Sequence, residues 1–539
     1  MERKIKTDVI IVGAGPTGLS LAGQLLRYGI DFIIIDMKEG ITDLSKAIIL
    51  HARTMEIYDQ IGLANRIVDR GRILHTVMFI TDGKVTASPD FSKIGDHRFS
   101  PFAYFMIHPQ SETEQLLYDY LRENNQEVQW QTKLQSFSHD KSGVQATIKS
   151  ITGETQTIEA DYLVGCDGAS STVREQLNLK FEGSTYPHLF YVVDVEMEIK
   201  SDGESMLAAL GKDAYLLMLP LPGEKHWRFT GNMPEYDIPG KGQDSDTLIP
   251  FSQIEVRLKR LVNRSLSVHK VNWQSQYKVH TRYVEQFGKG RCFLAGDAAH
   301  VHTPAGGQGM NTGIQDVYNL AWKLDMVLKG QADASLLCTY SEERLANAKR
   351  LVRSTDQMFD LLTAQSWYTE ILRNYLLPSF AQLMTRLDPI KEITFPFLSQ
   401  IGINYRDQSL SQHQNDGDFK VKDGDRMPYF LVDGANVYDK FRSPKFRLIV
   451  LSNGEHSYRE LELELEEEYG GSIDFGIIPL YPRTVAIFGT DQSFKVLLRP
   501  DNYIGLISEE LSLNDVRAYF NRLAEKDSEQ PVRTSTVSS

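Results

Sequence analysis

An acidic residue and a set of glycines occur where a chain could hold an anionic or electron-accepting ligand. Asp297 follows a short apolar run, and Gly306, Gly307 and Gly309 come just before a predicted helix. Glycines there let the backbone approach a ligand closely, and the helix start offers unpaired N–H groups and the positive end of a dipole. Asp297 could accept hydrogen bonds from a sugar-like hydroxyl chain. A tight strand-to-helix turn without a ligand gives the same local pattern.

A second glycine motif lies near the N-terminus. GAGPTG (residues 13–18) follows the apolar run 8–12 and precedes a helical segment, 19–28, and a second apolar run, 32–35, is closed by Asp36. This order of strand, glycine turn, helix, strand and acid is that of a dinucleotide-binding unit. The glycines would let a pyrophosphate meet the helix N-terminus, and Asp36 lies where a carboxylate would bind ribose hydroxyls.

The elements that position these residues are predicted from period and composition. The segment after Gly309 is a helix that stops at Gly330, because its apolar residues recur at spacings of three and four: Ile314, Val317, Ala321, Leu324 and Leu328. A loop after Lys46 leads into a helix with Thr54 as a candidate cap. Lys46 and Arg53 are either phosphate or cofactor contacts or simply solvated.

Gln110 precedes a predicted helix at 112–121 and is either an amide contact to a cofactor or a cap. Strand-like segments predict a small antiparallel insert at 127–130, 145–148 and 155–158. In the segment 161–174, an apolar strand ends near Asp167 and leads into a helix. It would close a ligand crevice at the carboxyl end of a strand, unless it is an ordinary strand-to-helix turn.

The middle of the chain changes to alternating strands, predicted at 191–199, 214–219, 226–230 and 268–278. Trp227 and Phe229 share one face by period two, and Tyr215, Leu217 and Leu219 share another. Either face could form the floor of an apolar substrate pocket, although core packing is the commoner explanation for such residues.

The C-terminal part has a charged helix at 335–362 and a turn cluster at 424–428. Strands are predicted at 446–451, 473–478, 483–488 and 494–498, followed by a helix at 512–525 with Ser512 as its cap. The polar residues from about 528 onward are expected to be disordered.

Composition narrows the class of protein. The net charge of −13 argues against nucleic acid as a partner. The three cysteines, Cys166, Cys292 and Cys338, have no metal-binding or CxxC spacing and favour a reducing, cytoplasmic setting. No apolar run is long enough for a membrane span. We expect neither a metal site nor a membrane span.

Four segments together resemble the single-component FAD-dependent aromatic hydroxylases, the class A flavoprotein monooxygenases. These segments are GAGPTG at Gly13, DYLVGCDGASSTVR at Asp161, GDAAHVHTPAGGQGMNTGIQDVYNLAWKL at Gly296 and GDRMP at Gly424. Within the family the chain is most similar to the phenol hydroxylase-like branch, which modifies polyketides and antibiotics and carries a C-terminal thioredoxin-like domain.

The resemblance implies an α/β fold with a Rossmann-like FAD-binding domain, an inserted antiparallel β-sheet substrate domain and a C-terminal thioredoxin-like domain. The expected boundaries are 1–180 and 281–415 for the FAD-binding domain with a helical extension, 181–280 for the substrate domain, 416–528 for a thioredoxin-like domain without CxxC, and 529–539 for the disordered tail.

The resemblance also implies the residues that bind FAD. Those at the pyrophosphate, ribose and adenine side are Gly13, Gly15, Pro16, Thr17, Gly18, Asp36, Met37, Lys38, Lys46, Gln110, Leu134 and Asp167. Those at the ribityl chain and the isoalloxazine are Gly296, Asp297, Pro304, Gly307, Gly309, Met310 and Asn311. The family usually has Glu at Asp36 and Arg at Lys46. A shorter acid still reaches a ribose, whereas loss of the guanidinium puts the Lys46 contact in doubt.

The chemistry that the resemblance implies is the cofactor's. FAD reduced by NAD(P)H would react with O2 to give a C4a-hydroperoxide, which attacks an electron-rich aromatic substrate. With a single dinucleotide fingerprint, NAD(P)H would dock transiently. The protein would exclude water, place the ring and favour the phenolate. No general base can be assigned, and a structural role is the simpler account of the polar candidates His51, Tyr215, His226 and Arg228.

Three other functions are alternatives to aromatic hydroxylation. A flavin halogenase is disfavoured because no two tryptophans are separated by a single residue, so its WxWxIP signature is absent. An antibiotic-inactivating monooxygenase that acts on a large drug-like phenol would have the same motifs. A flavin-binding protein without turnover is a third alternative. The C-terminal domain has no cysteine, which leaves packing, closure of a substrate tunnel or contact within a homodimer as its role.

Overall fold

The fold is described by a computed structural model over residues 5–43, 46–95, 98–199, 205–211, 215–233, 248–263, 266–363, 367–411 and 418–524. The chain forms two compact units. Unit 1 comprises Met1–Tyr318 and Leu345–Ile403, and unit 2 comprises Asn319–Arg344 and Asn404–Ser539. Two helices, α7 and α8 below, each contribute residues to both units.

The helices and strands are given in chain order. The first are β1 (Ile5–Val12), α1 (Pro16–Tyr28), β2 (Phe32–Ile35), β3 (Ile49–Leu50), α2 (Ala52–Asp59), α3 (Ala64–Arg70), β4 (Arg72–Ile73), β5 (Thr76–Thr81), β6 (Lys84–Ala87), β7 (Met106–Ile107), α4 (Gln110–Glu123), β8 (Val128–Gln129), β9 (Thr132–His139), β10 (Val144–Ser150), β11 (Thr155–Gly165) and α5 (Thr172–Gln176). Next are β12 (Phe181–Ile199), β13 (Ser205–Leu210), β14 (Tyr215–Pro220), β15 (His226–Met233), α6 (Phe251–Val262), β16 (Leu266–Val284), β17 (Gly288–Lys289), β18 (Cys292–Leu294), β19 (His300–Val301), α7 (Gly309–Leu328), α8 (Cys338–Thr363), α9 (Trp367–Ile371), α10 (Leu377–Met384) and α11 (Asp388–Leu398). The last are β20 (Leu431–Val432), β21 (Ala435–Asn436), β22 (Phe446–Ser452), α12 (Arg459–Tyr469), β23 (Ile473–Pro479), α13 (Pro482–Phe488), β24 (Phe494–Leu498), β25 (Ile504–Ser508) and α14 (Asn514–Ala524).

The first sheet of unit 1 is built around β1. Its strands run in the order β17-β18-β11-β1-β2-β8, and β1 is parallel to both neighbours. Burial on both faces explains the apolar run at residues 9–12 of β1. Helix α1 begins with Pro16 in its first turn and ends at Gly29, which adopts the left-handed conformation at φ 69°. The predicted strand, glycine turn, helix and strand are confirmed.

An antiparallel insert is formed by β9, β10 and β11, which pair in that order. The predicted placement of 127–130 in this insert is wrong, because that segment contains β8, which pairs in parallel with β2 in the main sheet. Two segments predicted separately, 155–158 and the strand before Asp167, are one continuous strand, β11. Strand β9 was not predicted. Strand β11 joins the insert to the main sheet, because it is also the parallel neighbour of β1.

A second, mixed sheet in unit 1 has the order β19-β16-β12-β15-β14-β13-β5-β6. Most pairs are antiparallel, whereas β13 and β5 are parallel. Strands β5 and β6 come from residues 76–87, far before the segment 181–280 that was predicted to form this sheet. Helix α6, which was not predicted, covers one face with Ile254, Leu258 and Val262. Residue 214, at the start of a predicted strand, lies outside the described residues.

Unit 2 contains a sheet in the order β23-β22-β24-β25. Strands β22 and β23 are parallel and joined by α12, while β24 and β25 form an antiparallel hairpin that leads into α14. This connectivity is consistent with a thioredoxin-like domain. The predicted strand 483–488 is wrong, since these residues form α13, which has Pro482 in its first turn and a capping box between Tyr481 and Thr484. The expected tail 529–539 lies outside the described residues.

Buried charges hold unit 2 together around the second half of α7. Arg499 contacts Glu343 and Asp501, each at 2.6 Å, and Lys323 Nζ lies 2.8 Å from Glu343. Trp322 Nε1 donates to Asp501 at 3.0 Å. Burial lowers the pKa of Lys323 to about 8. Burial opposes ionisation of Glu343 too, but Arg499 and Lys323 outweigh it and hold the pKa of that carboxyl at about 2.

None of the helices in the described ranges combines the length and apolar character needed to cross a membrane.

Candidate active site

The first glycine turn contains one position that is open and two that are closely packed. A Cβ added at Gly13, where φ is 102°, would lie 2.4 Å from the carbonyl oxygen of Cys166, and one at Gly18 would lie 1.9 Å from the oxygen of Gly13. The fold itself therefore requires these glycines. A Cβ at Gly15 would meet nothing within 4 Å, so the start of α1 is accessible to a ligand, as a pyrophosphate at a helix N-terminus requires.

Asp36, directly after β2, is hydrogen-bonded to this turn. It accepts hydrogen bonds from the N–H groups of Ala14, at 2.7 Å, and of Lys38, at 2.8 Å. The Lys38 ammonium lies 3.8 Å from Asp36 and 3.7 Å from Glu114. Burial raises the pKa of the Glu114 carboxyl, an effect that Lys38 opposes. Asp36 is thus oriented by two backbone donors.

Two apolar residues predicted to contact the cofactor lie near Asp36 in different environments. Met37 is 72% exposed. Leu134 is buried in β9, and this strand begins at Thr132, whose N–H donates to the carbonyl of Asp36. The structure thus brings the start of β9 to the acid, as a contact near the adenine side would need.

Thr17 lies where the two glycine-containing turns meet. A Cβ added at Gly296, where φ is 60°, or at Gly313 would come within 2.5 Å of Thr17 Oγ1. The start of α1, the turn after β18 and the first turn of α7 therefore pack on one side chain. Gly313 was missed by the sequence analysis, although its spacing of four from Gly309 places both glycines on one side of α7.

Asp297 lies exposed in a crevice next to Gly296. The surrounding protein raises the pKa of its carboxyl by desolvation, and His300 and Lys46 oppose this effect. Lys46 is exposed as well. The two predicted cofactor contacts Asp297 and Lys46, separated by some 250 residues in the chain, are therefore brought close enough to interact.

The Asp297 turn is fixed by groups that were not predicted. Asp316 on α7 accepts hydrogen bonds from the N–H of Gly296, at 3.1 Å, and contacts His300 Nε2 at 2.7 Å. His300 and Asp316 are both buried. Arg174, also buried, donates to the carbonyl of Ala298 at 3.1 Å. No spacing rule links these residues, so sequence alone carries no signal for them.

Asp167 is at the crevice beside Gly13, but its carboxylate is already bonded. It accepts from Ser171 Oγ at 2.5 Å and from the N–H of Val173 at 3.1 Å. Burial raises the pKa of the Asp167 carboxyl, while these hydrogen bonds lower it. The side chain therefore holds the start of α5, and its predicted contact to the cofactor stays a prediction.

Asn311 joins the glycine loop before α7 to the segment between β3 and α2. Its Oδ1 accepts from the N–H of His51, at 2.9 Å, and from Thr54 Oγ1, at 2.7 Å. Its Nδ2 donates to the carbonyls of Ile49, at 2.8 Å, and Gly307, at 2.9 Å. Thr54 was expected to cap α2, which is wrong, because the helix begins two residues earlier at Ala52.

Around the glycine loop, Gly306 and Gly307 have φ values of 76° and 64°, which favour glycine. Pro304 is exposed and Met310 is half-buried. His51 Nε2 lies 3.0 Å from the carbonyl of Gly306. The predicted contacts Pro304, Gly307, Gly309, Met310 and Asn311 are thus all in this loop and the first turn of α7.

Gln110 is the first residue of α4 rather than a residue ahead of it. Its Oε1 accepts from the N–H of Ala47 at 3.2 Å, and its own N–H donates to the carbonyl of Ala47 at 2.8 Å. Its Nε2 donates to Glu114 at 2.9 Å. The amide therefore holds the segment after Lys46.

The two faces of the mixed sheet separate the predicted substrate residues. Tyr215 and Leu217 belong to a buried apolar cluster that also contains Ala52 and Ile107. Trp227 and Phe229 pack on the opposite face under α6. Leu219 shares the face of Leu217 by period two. Leu217 packs on the same cluster as Ile49, which lies beside Gly307, whereas Trp227 and Phe229 belong to the other cluster.

A group of rings on the inner face, which we call the aromatic wall, consists of Tyr186, Phe190, Tyr215, Tyr277 and Phe359. Ring centroids lie 4.8 Å apart for Tyr186 and Phe359, 5.0 Å for Phe190 and Phe359, 6.2 Å for Phe190 and Tyr277, and 6.4 Å for Phe190 and Tyr215. Tyr186 and Tyr277 are half-buried. Phe190 contacts three of the other rings and lies at the centre of the wall.

The polar candidates are placed differently. Burial lowers the pKa of His51 to about 4, so its imidazole is neutral at neutral pH. Burial raises the pKa of the Tyr215 phenol. Arg228 is buried and donates to both carboxylate oxygens of Asp194 at 2.6 Å. His226 is at the outer end of β15, 3.8 Å from Glu196. By period two His226 shares the sheet face of Arg228, but it is the first residue of β15.

These observations fit FAD as a cofactor. The open Gly15 position and the helix N-terminus suit a pyrophosphate, Asp36 lies where a ribose would be bound, and the accessible carboxylate of Asp297 suits a hydroxyl chain. His51 Nδ1 is buried near the glycine loop and has no hydrogen-bond partner among the described residues.

The chain matches the FAD binding domain family over residues 6–355. It is 30% identical over 517 residues to a flavin-dependent monooxygenase of Mycobacteroides abscessus, which covers 93% of this chain and 97% of that protein. It is 28% identical over 547 residues to the pentachlorophenol 4-monooxygenase of Sphingobium chlorophenolicum, with coverage of 96% and 97%. The structure of OxyS, an anhydrotetracycline hydroxylase from Streptomyces rimosus, matches with a TM-score of 0.73 at 26% identity and covers 96% of this chain and 99% of its own. The chain therefore belongs to the FAD-binding family of aromatic monooxygenases, with FAD as its cofactor and NAD(P)H as its co-substrate.

Proposed function

We propose that this monooxygenase hydroxylates a polycyclic phenol of polyketide type. The observation that carries the proposal is the aromatic wall, which belongs to the same apolar cluster as the residues next to the glycine loop. Ile49 packs against this cluster, and a Cβ at Gly307 would lie 3.3 Å from Ile49. The place where a flavin ring would be held thus adjoins an apolar cluster whose half-buried rings, Tyr186 and Tyr277, would meet a flat aromatic ligand.

The size of the apolar surface favours several fused rings over a single ring. Beyond the buried members of the cluster, the partly buried apolar side chains packed on it include Phe91, Phe99, Phe102, Tyr186, Met206, Leu217, Leu221, Tyr277 and Leu377. Such side chains gain burial when an apolar ligand covers them. Aromatic faces and edges also add specific stacking contacts. OxyS is, by its name, an anhydrotetracycline hydroxylase, and a substrate of that kind agrees with this surface.

Bound FAD supplies the activation of O2 and the transfer of one oxygen atom to an electron-rich ring. The protein's own part is to orient that ring and exclude water. Arg228, paired with Asp194, also donates to the carbonyl of Lys46 at 3.3 Å and so fixes the segment that carries Lys46. If Nε2 of His51 donates to Gly306, its Nδ1 is an acceptor, and we assign it the hydroxyl of the phenol.

The test is NAD(P)H oxidation by the FAD-loaded protein in the presence of single-ring phenols, naphthols and polycyclic phenols, with hydrogen peroxide assayed in parallel. We expect the polycyclic phenols to accelerate oxidation without matching peroxide, and to gain one oxygen atom from labelled O2. A preference for single-ring phenols would contradict the proposed size of the substrate. Peroxide equal to the NAD(P)H consumed with every compound would contradict the proposed substrate class.

We also propose that the protein works in the cytoplasm. Cys166 and Cys292 are free, buried thiols, which suits a reducing compartment. A homodimer stays a prediction, which sedimentation of the holoenzyme would test.

A further inference from the structure

A basic groove runs along the exposed face of α8. Its lining residues all lie on this helix: Ala346, Lys349, Arg350, Arg353, Ser354 and Gln357. The space over these side chains is open to solvent and has a volume of about 460 Å³. Because helix positions three and four apart share a side, this set forms one continuous strip. The groove is distinct from the residues of the candidate FAD site.

The strip is cationic although the chain as a whole carries a net charge of −13. Lys349, Arg350 and Arg353 are exposed and fall within little more than one helical turn. Within the described ranges no carboxylate forms an ion pair with any of the three. Their mutual repulsion is relieved when an anion binds, and arginine in particular presents paired donors to phosphate.

Helix α8 also contacts the segment before the glycine loop, on the buried side of the helix. Thr303, which directly precedes Pro304, donates its hydroxyl to the carbonyl of Thr355 at 3.2 Å. Lys349 Nζ lies 5.9 Å from the ring centroid of Tyr283, and Tyr283 pairs with His300 between β16 and β19. The basic strip thus lies against the strands that lead into the loop.

The geometry points to the phosphates of NAD(P)H as the anion. The chain has one dinucleotide fingerprint, at residues 13–18, and FAD accounts for it. A second dinucleotide needs a different phosphate site near the glycine loop. Lys349 lies beside Tyr283, whose partner strand β19 ends two residues before Thr303, so this end of the strip is next to the segment that leads into the loop. Lys349, Arg350 and Arg353 would hold the phosphates, with the nicotinamide extending past Thr303.

This inference rests on the proposed function only in that NAD(P)H is the reductant. Its test does not require that the protein hydroxylates a substrate. The variant is Arg350→Glu/Arg353→Glu in the FAD-loaded protein. The matched control is Lys259→Glu/Arg260→Glu, which reverses two exposed charges on α6. Binding of NADP⁺ and of 2′,5′-ADP to the oxidised holoenzyme is measured by equilibrium dialysis, and anaerobic flavin reduction by NADPH and NADH by stopped flow.

We expect the α8 variant to weaken nucleotide binding at least tenfold, since two attractive charges become repulsive, with dithionite reduction and flavin content unchanged. Added salt should weaken binding to the wild type more than to the variant. A dissociation constant within twofold of the wild type, or an equal loss in the α6 control, would overturn the inference. If the α8 variant loses nucleotide binding but the wild type hydroxylates none of the phenols, the inference holds and only the proposed function is contradicted.

Discussion

Replacing Asn311 by alanine should loosen the glycine loop and weaken FAD binding. The side chain is fully buried and makes four hydrogen bonds that join the loop to the β3–α2 segment. Asn311→Ala leaves two donors, the His51 N–H and the Thr54 hydroxyl, and two carbonyls without this partner. Because Gly307 is one of the four partners, the loss acts directly on the loop.

The expected loss of unfolding free energy follows from the number of hydrogen bonds that are removed. An unsatisfied buried polar group costs about 1–3 kcal/mol, and water entering the small cavity recovers part of this cost. We therefore expect a loss of about 3–5 kcal/mol of unfolding free energy. The matched variant Thr54→Val has nearly the same shape and removes one of the four bonds, so it should cost about 1 kcal/mol.

The assay is the temperature at which the holoprotein releases flavin, followed by flavin fluorescence, together with a fluorescence titration of apoprotein with FAD. Asn311→Ala should release flavin several degrees earlier than the wild type, at about 1–2 °C per kcal/mol for a unit of this size. Thr54→Val should account for a quarter to a third of that shift. Equal shifts for the two variants would refute the argument that the four bonds act together.

The remaining predictions concern the carboxylate near the ribose, the buried charges of unit 2 and the two faces of the mixed sheet. Asp36→Ala should raise the dissociation constant of FAD at least tenfold in a fluorescence titration, while Asp8→Ala, which loses one exposed hydrogen bond, should not. The pKa of Glu343 is about 2 in the folded protein against an ordinary value of 4.5, so its stabilising contribution is complete above about pH 4.5 and is lost as the pH falls towards 2. Glu343→Gln should cost unit 2 about 3–5 kcal/mol at neutral pH and flatten the pH dependence of its urea midpoint in that window. Leu217→Ala should raise KM for the aromatic substrate with a small change in Tm, whereas Phe229→Leu should lower Tm by a few degrees and leave KM unchanged.

The parts of the fold that could be predicted are those whose signals are local. The segment from β1 to Asp36 spans some 30 consecutive residues, so its glycines, helix and acid can be recognised together as one motif. Helix α7 could be predicted from its apolar period and its stop at Gly330. In both cases the residues that make the contacts are close together in the chain.

Other parts depend on residues that are distant in the chain. Strand β5 pairs with β13 across more than a hundred residues, and Asn311 bonds to a segment some 260 residues earlier. Period two correctly grouped Trp227 with Phe229, but it cannot tell which face meets α6. Helix α13 is different. Pro482 and the nearby Thr484 are local signals of a helix start, but the short apolar run that follows is also typical of a strand.

Helix α7 affects whether the C-terminal domain can be separated from the rest of the chain. It begins in unit 1 at the glycine loop, and from Asn319 it belongs to unit 2. Its Lys323 is neutralised by partners that include Glu343, which also bonds Arg499. A truncated chain that ended after residue 403 would lack Arg499 and Asp501 and leave buried charges without their counterions. We therefore expect that the C-terminal domain cannot be deleted or exchanged at a linker. In recombination between relatives, α7, α8 and this domain should be kept from the same parent.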